Sequence, residues 1–144
     1  MTFSENTKSL ERFVEAQKET YASSLKEIRL GRKTGHWMWY VFPQIHGLGH
    51  SETAKFYAIT GKPEAQRYLS HEILGPRLIG ISKALLQLET SDPVTVFGSI
   101  DSLKLKSSMT LFSLAEPTDP VFSEVLEKFF HGKRDEKTVK LLDS

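Results

Sequence analysis

Apolar residues recur at helical spacing through most of this chain, and glycines and prolines stand where helices would end and begin. Phe122, Val125, Leu126, Phe129 and Phe130 follow the pattern that turns one face of a helix toward a core. Gly132, just beyond them, supplies a stop. Leu78, Ile81, Leu85 and Leu88 form a second stripe after Leu74-Gly75-Pro76, and Ile79 and Leu86 widen it. A helix apolar over so broad a face belongs at the centre of the fold. Leu10, Phe13, Val14, Gln17, Tyr21, Leu25 and Ile28 keep helical phase, as one long helix or as two broken near Glu19-Thr20, with Gly31 as the end.

Shorter helices fill the rest. Asp92-Pro93 and Asp119-Pro120 each read as a capping aspartate followed by a proline at the first helical position. Pro76 is expected at the same position of its helix. Ser51 is placed to cap a helix through Ile59, and 63–70 forms another. Ser99 or Asp101 caps a helix to about Ala115. Asp135 caps a last one, with Val139 and Leu142 facing inward. One segment stands apart: Trp37-Met-Trp-Tyr-Val-Phe42 has the aromatic and β-branched composition of a strand. No second convincing strand exists for it to pair with, so it is expected as an extended piece or a short irregular helix.

The pattern therefore predicts an all-α fold: one compact domain over 1–144 of about seven helices in irregular, orthogonal packing. Within it, 9–143 is helical and 1–8 is a flexible N-terminus. A chain of 144 residues is long enough to bury a core of its own. There is no cysteine, which excludes a disulfide framework, thiolate metal ligands and a cysteine nucleophile. No apolar run approaches the ~20 residues of a membrane span, and the first residues have no apolar signal core. The expectation is a cytoplasmic protein without a membrane partner. Nineteen basic against eighteen acidic side chains leave a net charge of +1, which speaks against nucleic acid as the partner.

Chemistry concentrates in two places. Between Glu27 and Glu52 there is no acidic residue, while Arg29, Arg32, Lys33, His36, His46 and His50 stand among Trp37, Trp39, Tyr40 and Phe42. Cations beside flat rings suit a ligand that combines phosphate with a base, because an ammonium or guanidinium meets the phosphate and an indole offers a stacking face. The plainer alternative is a cationic helix end followed by a core plug of aromatics. His46 and His50 have the i, i+4 spacing of a metal pair, but Gly47 and Gly49 break the helix that pairing needs, so no metal is expected. The second place is Phe97–Phe112, where Lys104 and Ser108 share a helix face one turn apart. Polar groups on so apolar a helix need partners, from a ligand or from the helix's own carbonyls. Lys104 precedes Ser108, so no Ser-x-x-Lys acylation motif is present. Arg77, in a first helical turn where a cation is disfavoured, calls for an anion. Gly132-Lys-Arg-Asp135 is explained by a turn and a cap, with Asp135 as a carboxylate in a cleft as the alternative.

Several blocks together carry a resemblance: Gly31-Arg-Lys33, His36-Trp-Met-Trp-Tyr-Val-Phe-Pro-Gln44, Gly47-Leu-Gly49, Leu74-Gly-Pro-Arg-Leu78 and Lys104-Leu-Lys-Ser-Ser-Met-Thr-Leu-Phe112. The chain resembles, over about residues 10–142, a family of uncharacterised, mainly bacterial proteins often labelled calpastatin. The resemblance implies a mainly helical fold and no assigned activity. Calpastatin's inhibitory segments are disordered, whereas the periodicity here predicts a folded domain. A more distant similarity, in helical architecture, aromatic early blocks and a glycine-then-aspartate motif near the C-terminus, is to the NADAR group, which is linked to NAD and ADP-ribose metabolism.

Taken together, the residues suggest a binder or processor of a phosphate-bearing, nucleotide-like molecule, of the ADP-ribose or NAD kind. The cleft would be lined by His36, Trp37, Trp39, Gln44, Arg77, Asp101, Lys104 and Ser108, with Trp37 or Trp39 stacking on the base, Arg77 and Lys104 holding the phosphate, and Asp101 or His36 as general acid or base. No cofactor is called for. The alternative is a protein- or RNA-interaction module using the Arg29–His50 surface. The nucleotide reading requires the tryptophan block and the lysine–serine helix to fold against each other.

Overall fold

The computed structural model describes residues 9–143, so the expectation for 1–8 lies outside the described residues. Nine helices appear among these residues and no strand: α1 Glu11–Gln17, α2 Tyr21–Arg29, α3 Met38–Val41, α4 Glu52–Phe56, α5 Lys62–Ser70, α6 Leu74–Leu86, α7 Pro93–Ser113, α8 Val121–Phe130 and α9 Glu136–Leu142. The fold is a single compact all-α domain. The excess over about seven helices arises early in the chain. The N-terminal pattern divides at Lys18–Thr20, where the Thr20 hydroxyl donates to the Ala16 carbonyl at 2.8 Å. The aromatic block contributes the four-residue α3.

α8 packs against both α6 and α7, and α5 and α2 flank α6. The side chains that predicted these helices fill the centre: Leu78, Ile81 and Leu85 of α6 and Phe122, Val125 and Leu126 of α8 are all buried. Phe112 of α7 links the layers, with its ring 5.2 Å from that of Tyr68 and 5.8 Å from that of Phe122.

Helix ends follow the punctuation closely. Asp92 caps α7, accepting from the Val94 N–H at 3.0 Å. Gly98 then interrupts that helix with φ 81°, a conformation open to glycine, so the stretches before and after it join across a kink. His131 and Gly132 end α8 with φ 58° and 76°. Two starts and one end differ from expectation. α8 begins one residue after Pro120, although Asp119 does accept from the Val121 N–H at 2.8 Å. α6 begins at Leu74, ahead of Pro76, because the His71 imidazole accepts from the Ile73 and Leu74 N–H groups. α4, capped by Ser51, ends at Phe56 and not at Ile59. Ile59 instead forms an isolated parallel bridge with Ile45, exchanging 2.8 Å bonds with Gln44 and His46.

No helix among the described residues is long and apolar enough to cross a membrane.

Candidate functional site

The tryptophan block and α7 do meet. Phe42 and Phe97 pack edge to face with centroids 6.0 Å apart. The Lys33 N–H donates to the Val96 carbonyl at 2.8 Å, tying the loop after α2 to the first turn of α7. Beside this seam lies a charged cluster. Asp101 binds Lys33 at 2.8 Å and Lys104 at 3.4 Å, so one carboxylate serves two ammonium groups. The Lys104 ammonium also lies 4.6 Å from the centre of the Trp39 ring, and that of Lys33 lies 5.1 Å from Trp37. The result is a cation-rich patch against an indole that is half-buried and so reachable from solvent.

The local fold is held by an acid that motif reasoning passed over. Glu27 Oε1 accepts from the Thr34 N–H at 2.7 Å, the Gly35 N–H at 2.9 Å and the Trp37 indole N–H at 2.9 Å. Burial works against its charge, but these donors more than offset that, and the Glu27 carboxyl is held below its ordinary value. Gly35 is required here: a Cβ on it would lie 2.8 Å from the Trp37 ring. No sequence signal marks Glu27, because nothing in helical periodicity says that an α2 carboxylate will be wrapped by a loop eight residues on.

The expected site residues separate. Trp39, Asp101 and Lys104 come together, with Lys33 added. Trp37 is 3% exposed and committed to Glu27, so it plugs the core, while Trp39 stays half-buried. Ser108, one turn from Lys104, is fully buried, and its hydroxyl has no hydrogen-bond partner among the described residues. Gln44 and Trp39 line a cavity of about 20 Å3 with Tyr57 and Ala54, room for a water and not for a base. His36 is exposed in the loop before α3. Arg77 lies elsewhere: its guanidinium is 5.2 Å from the Tyr21 ring and 3.5 Å from Gln17 Oε1. The anion that its position called for is replaced by that ring and by the Gln17 amide oxygen. Among the described residues no group of three or more histidines and acids could hold a metal ion.

A second polar cluster joins α7 to α9. Asp135 Oδ2 accepts from the Ser107 hydroxyl and the Thr138 N–H, each at 3.1 Å, and from the Thr138 hydroxyl. The Asp135 N–H in turn donates to Thr110 Oγ1 at 2.9 Å. Thr110 and Thr138 are fully buried. The cap expected of Asp135 is therefore present, and it is also the point where the loop after α8 is pinned to α7.

These features define a small, single-domain, all-helical protein with charged clusters along its longest helix. The chain belongs to the family described as Protein of unknown function (DUF1810), which matches residues 7–142. A crystal structure of the conserved hypothetical protein Rv1873 from Mycobacterium tuberculosis is similar to it, with 47% sequence identity and a TM-score of 0.91 over 94% of this chain and 96% of that one. No curated protein matches the chain.

Proposed function

We propose that the chain binds a small phosphate-bearing molecule with a flat base, of the ADP-ribose or NAD kind, at the cluster of Trp39, Lys104, Asp101 and Lys33. The observation that carries this reading is the pair of ammonium groups sharing one carboxylate beside a half-exposed indole. Asp101 balances only one of the two charges. An incoming phosphate would take Lys104, whose bond to Asp101 is the longer, while Lys33 keeps Asp101 in place. The base would stack on the exposed part of the Trp39 indole. The distant resemblance to the NADAR group suggests the same ligand class. Asp101 is the acid–base group within this cluster should the bound molecule react.

The test is titration with ADP-ribose, NAD and GTP while tryptophan fluorescence is followed. Saturable quenching that is lost in Trp39→Phe and weakened in Lys104→Ala is expected. No response to any of the three at millimolar concentration would overturn the reading. It would instead favour the interaction module, whose support is the exposure of Ile100 and Leu103, 72% and 65%, beside Asp101 and Lys104 in α7.

A further inference from the structure

The loop that Asp135 pins, together with Lys106 of α7, walls an open cavity of about 930 Å3. That volume is at the upper end of what small-molecule sites occupy. Its lining carries five cations, Lys106, Lys133, Arg134, Lys137 and Lys140, against the carboxylates of Asp135 and Glu136. The surplus is three positive charges in one concavity, whereas the whole chain has a net charge of +1. The remainder of the chain is therefore net negative, and this concavity is locally positive against it. A concave wall of one sign focuses that field on a counter-ion.

Two further observations distinguish this wall from scattered surface lysines. The first is that the fold holds it rigid. His131 and Gly132 turn the chain through two left-handed positions. A Cβ on Gly132 would come within 2.5 Å of Glu127 Oε2. Buried Thr110 and Thr138 then fix Asp135 from both sides. Lys133 and Arg134 are thus held between two anchored points, which lowers the ordering cost of binding. The second is the Asp135 carboxylate, half of which is left over. Every hydrogen bond it takes from the described residues falls on Oδ2. Oδ1 takes none, on a residue that lines the cavity.

We infer that this cavity is a second binding site, for a small, multiply charged phosphate compound that also carries a hydroxyl group. Lysines and Arg134 meet the phosphate oxygens, the arginine as a bidentate fork. Asp135 Oδ1 accepts from the hydroxyl. The site does not rest on the Trp39 reading. Lys104 and Lys106 are two positions apart on α7, about 200° around the helix, so they serve different faces.

Calorimetric titration of the full chain with two probes that carry no base tests it: inorganic pyrophosphate, which offers charge alone, and ribose 5-phosphate, which offers charge and hydroxyls. Saturable one-to-one binding of both is expected, weakening as salt rises. The exposed double variant Lys133→Glu/Lys137→Glu should lose at least about tenfold in affinity for both probes. Lys62→Glu, a charge reversal on α5, should change neither. Asp135→Asn should weaken ribose 5-phosphate and spare pyrophosphate. Three results would overturn the inference: no saturable heat with either probe at 10 mM, equal losses in Lys62→Glu and the double variant, or displacement of both probes by a single-stranded RNA oligomer that binds more tightly than either.

Discussion

Replacing Asp135 with alanine removes the acceptor on which the loop after α8 depends, and the cost can be worked out from its three donors. The Ser107 hydroxyl loses least, because the Leu103 carbonyl stands at the same 3.1 Å and takes its proton instead. The Thr138 N–H loses its cap, and replacing an aspartate cap by alanine typically costs ~1 kcal/mol. The Thr138 hydroxyl is fully buried and left without its charged acceptor, a loss of about 2 kcal/mol. The sum is ~3 kcal/mol. For a chain of this size each kcal/mol lowers the melting temperature by roughly 3–4 °C, so Asp135→Ala should melt about 10 °C below wild type. Asp135→Asn keeps an oxygen acceptor and should lose about a third as much. Because much of the loss is a stranded Thr138 hydroxyl, Thr138→Val should cost less in the Asp135→Ala background than in wild type, with coupling of about 1–2 kcal/mol. Thermal melting by circular dichroism, with urea titration for the coupling, reads all three. A melting point for Asp135→Ala within 3 °C of wild type, or additive effects of the two substitutions, would refute the claim that this carboxylate fastens the loop.

Other consequences follow from buried polar contacts elsewhere. Arg12 and Glu64 pair at 3.2 Å with side chains 1% and 5% exposed, and Arg12 also donates to the carbonyls of Phe56 and Ala58. Arg12→Ala should therefore destabilise by ~3–5 kcal/mol in urea unfolding, since it strands a buried carboxylate. Glu27, whose pKa is lowered on folding from an ordinary 4.5, contributes stability that is present above that pH and lost as pH falls through its folded value. Glu27→Gln should thus be less stable than wild type at neutral pH, with the gap in urea midpoint narrowing as the pH falls below 4.5 and the carboxylate of the folded wild type takes up its proton. At Gly75 a Cβ would meet the Leu69 carbonyl oxygen at 2.1 Å, and backbone cannot swing aside. Gly75→Ala should cost at least about 1–3 kcal/mol, read as a fall in melting temperature.

Periodicity and punctuation carried the fold because both act locally. The stripes of α6 and α8 are core stripes, and the glycine at 98 and the aspartates at 92 and 135 sit at the bends and caps their chemistry demands. The aromatic block shows where local rules stop. Its composition favours a strand, yet Met38, Val41 and Phe42 are all buried and the backbone between them makes a single helical turn. Tertiary packing overrides a propensity worth at most ~1 kcal/mol. The site was visible as ingredients and not as an arrangement. An indole that is reachable from solvent and an indole that plugs the core have the same composition, and only burial assigns Trp39 to the first description and Trp37 to the second. Lys33 and Asp101 are far apart in the chain, and no spacing rule joins them; their meeting depends on how the loop after α2 lies on α7.

α7 itself indicates which of its polar groups are available for chemistry. Polar residues on a mostly buried helix call for an explanation, and most of these receive a structural one. Ser102 donates to the Ser99 carbonyl, Thr110 to that of Lys106, and Ser113 to that of Thr110. Ser107 turns to Asp135. Each satisfies itself within the helix or fastens the neighbouring loop, so none needs a ligand to account for its presence. Ser108 is unpaired but sealed in the core, where a bound molecule does not reach it. Once these are set aside, Lys104 against Trp39 and Lys106 at the mouth of the cationic cavity remain, on opposite faces of one helix. Neither lysine belongs to the apolar stripe that the helix buries: Lys104 pairs with Asp101 and lies over Trp39, and Lys106 lines the cationic cavity. The two lysines are therefore where substitution should separate ligand binding from folding: replacing either should leave the unfolding free energy within about 1 kcal/mol of wild type while weakening binding at one proposed site and sparing the other.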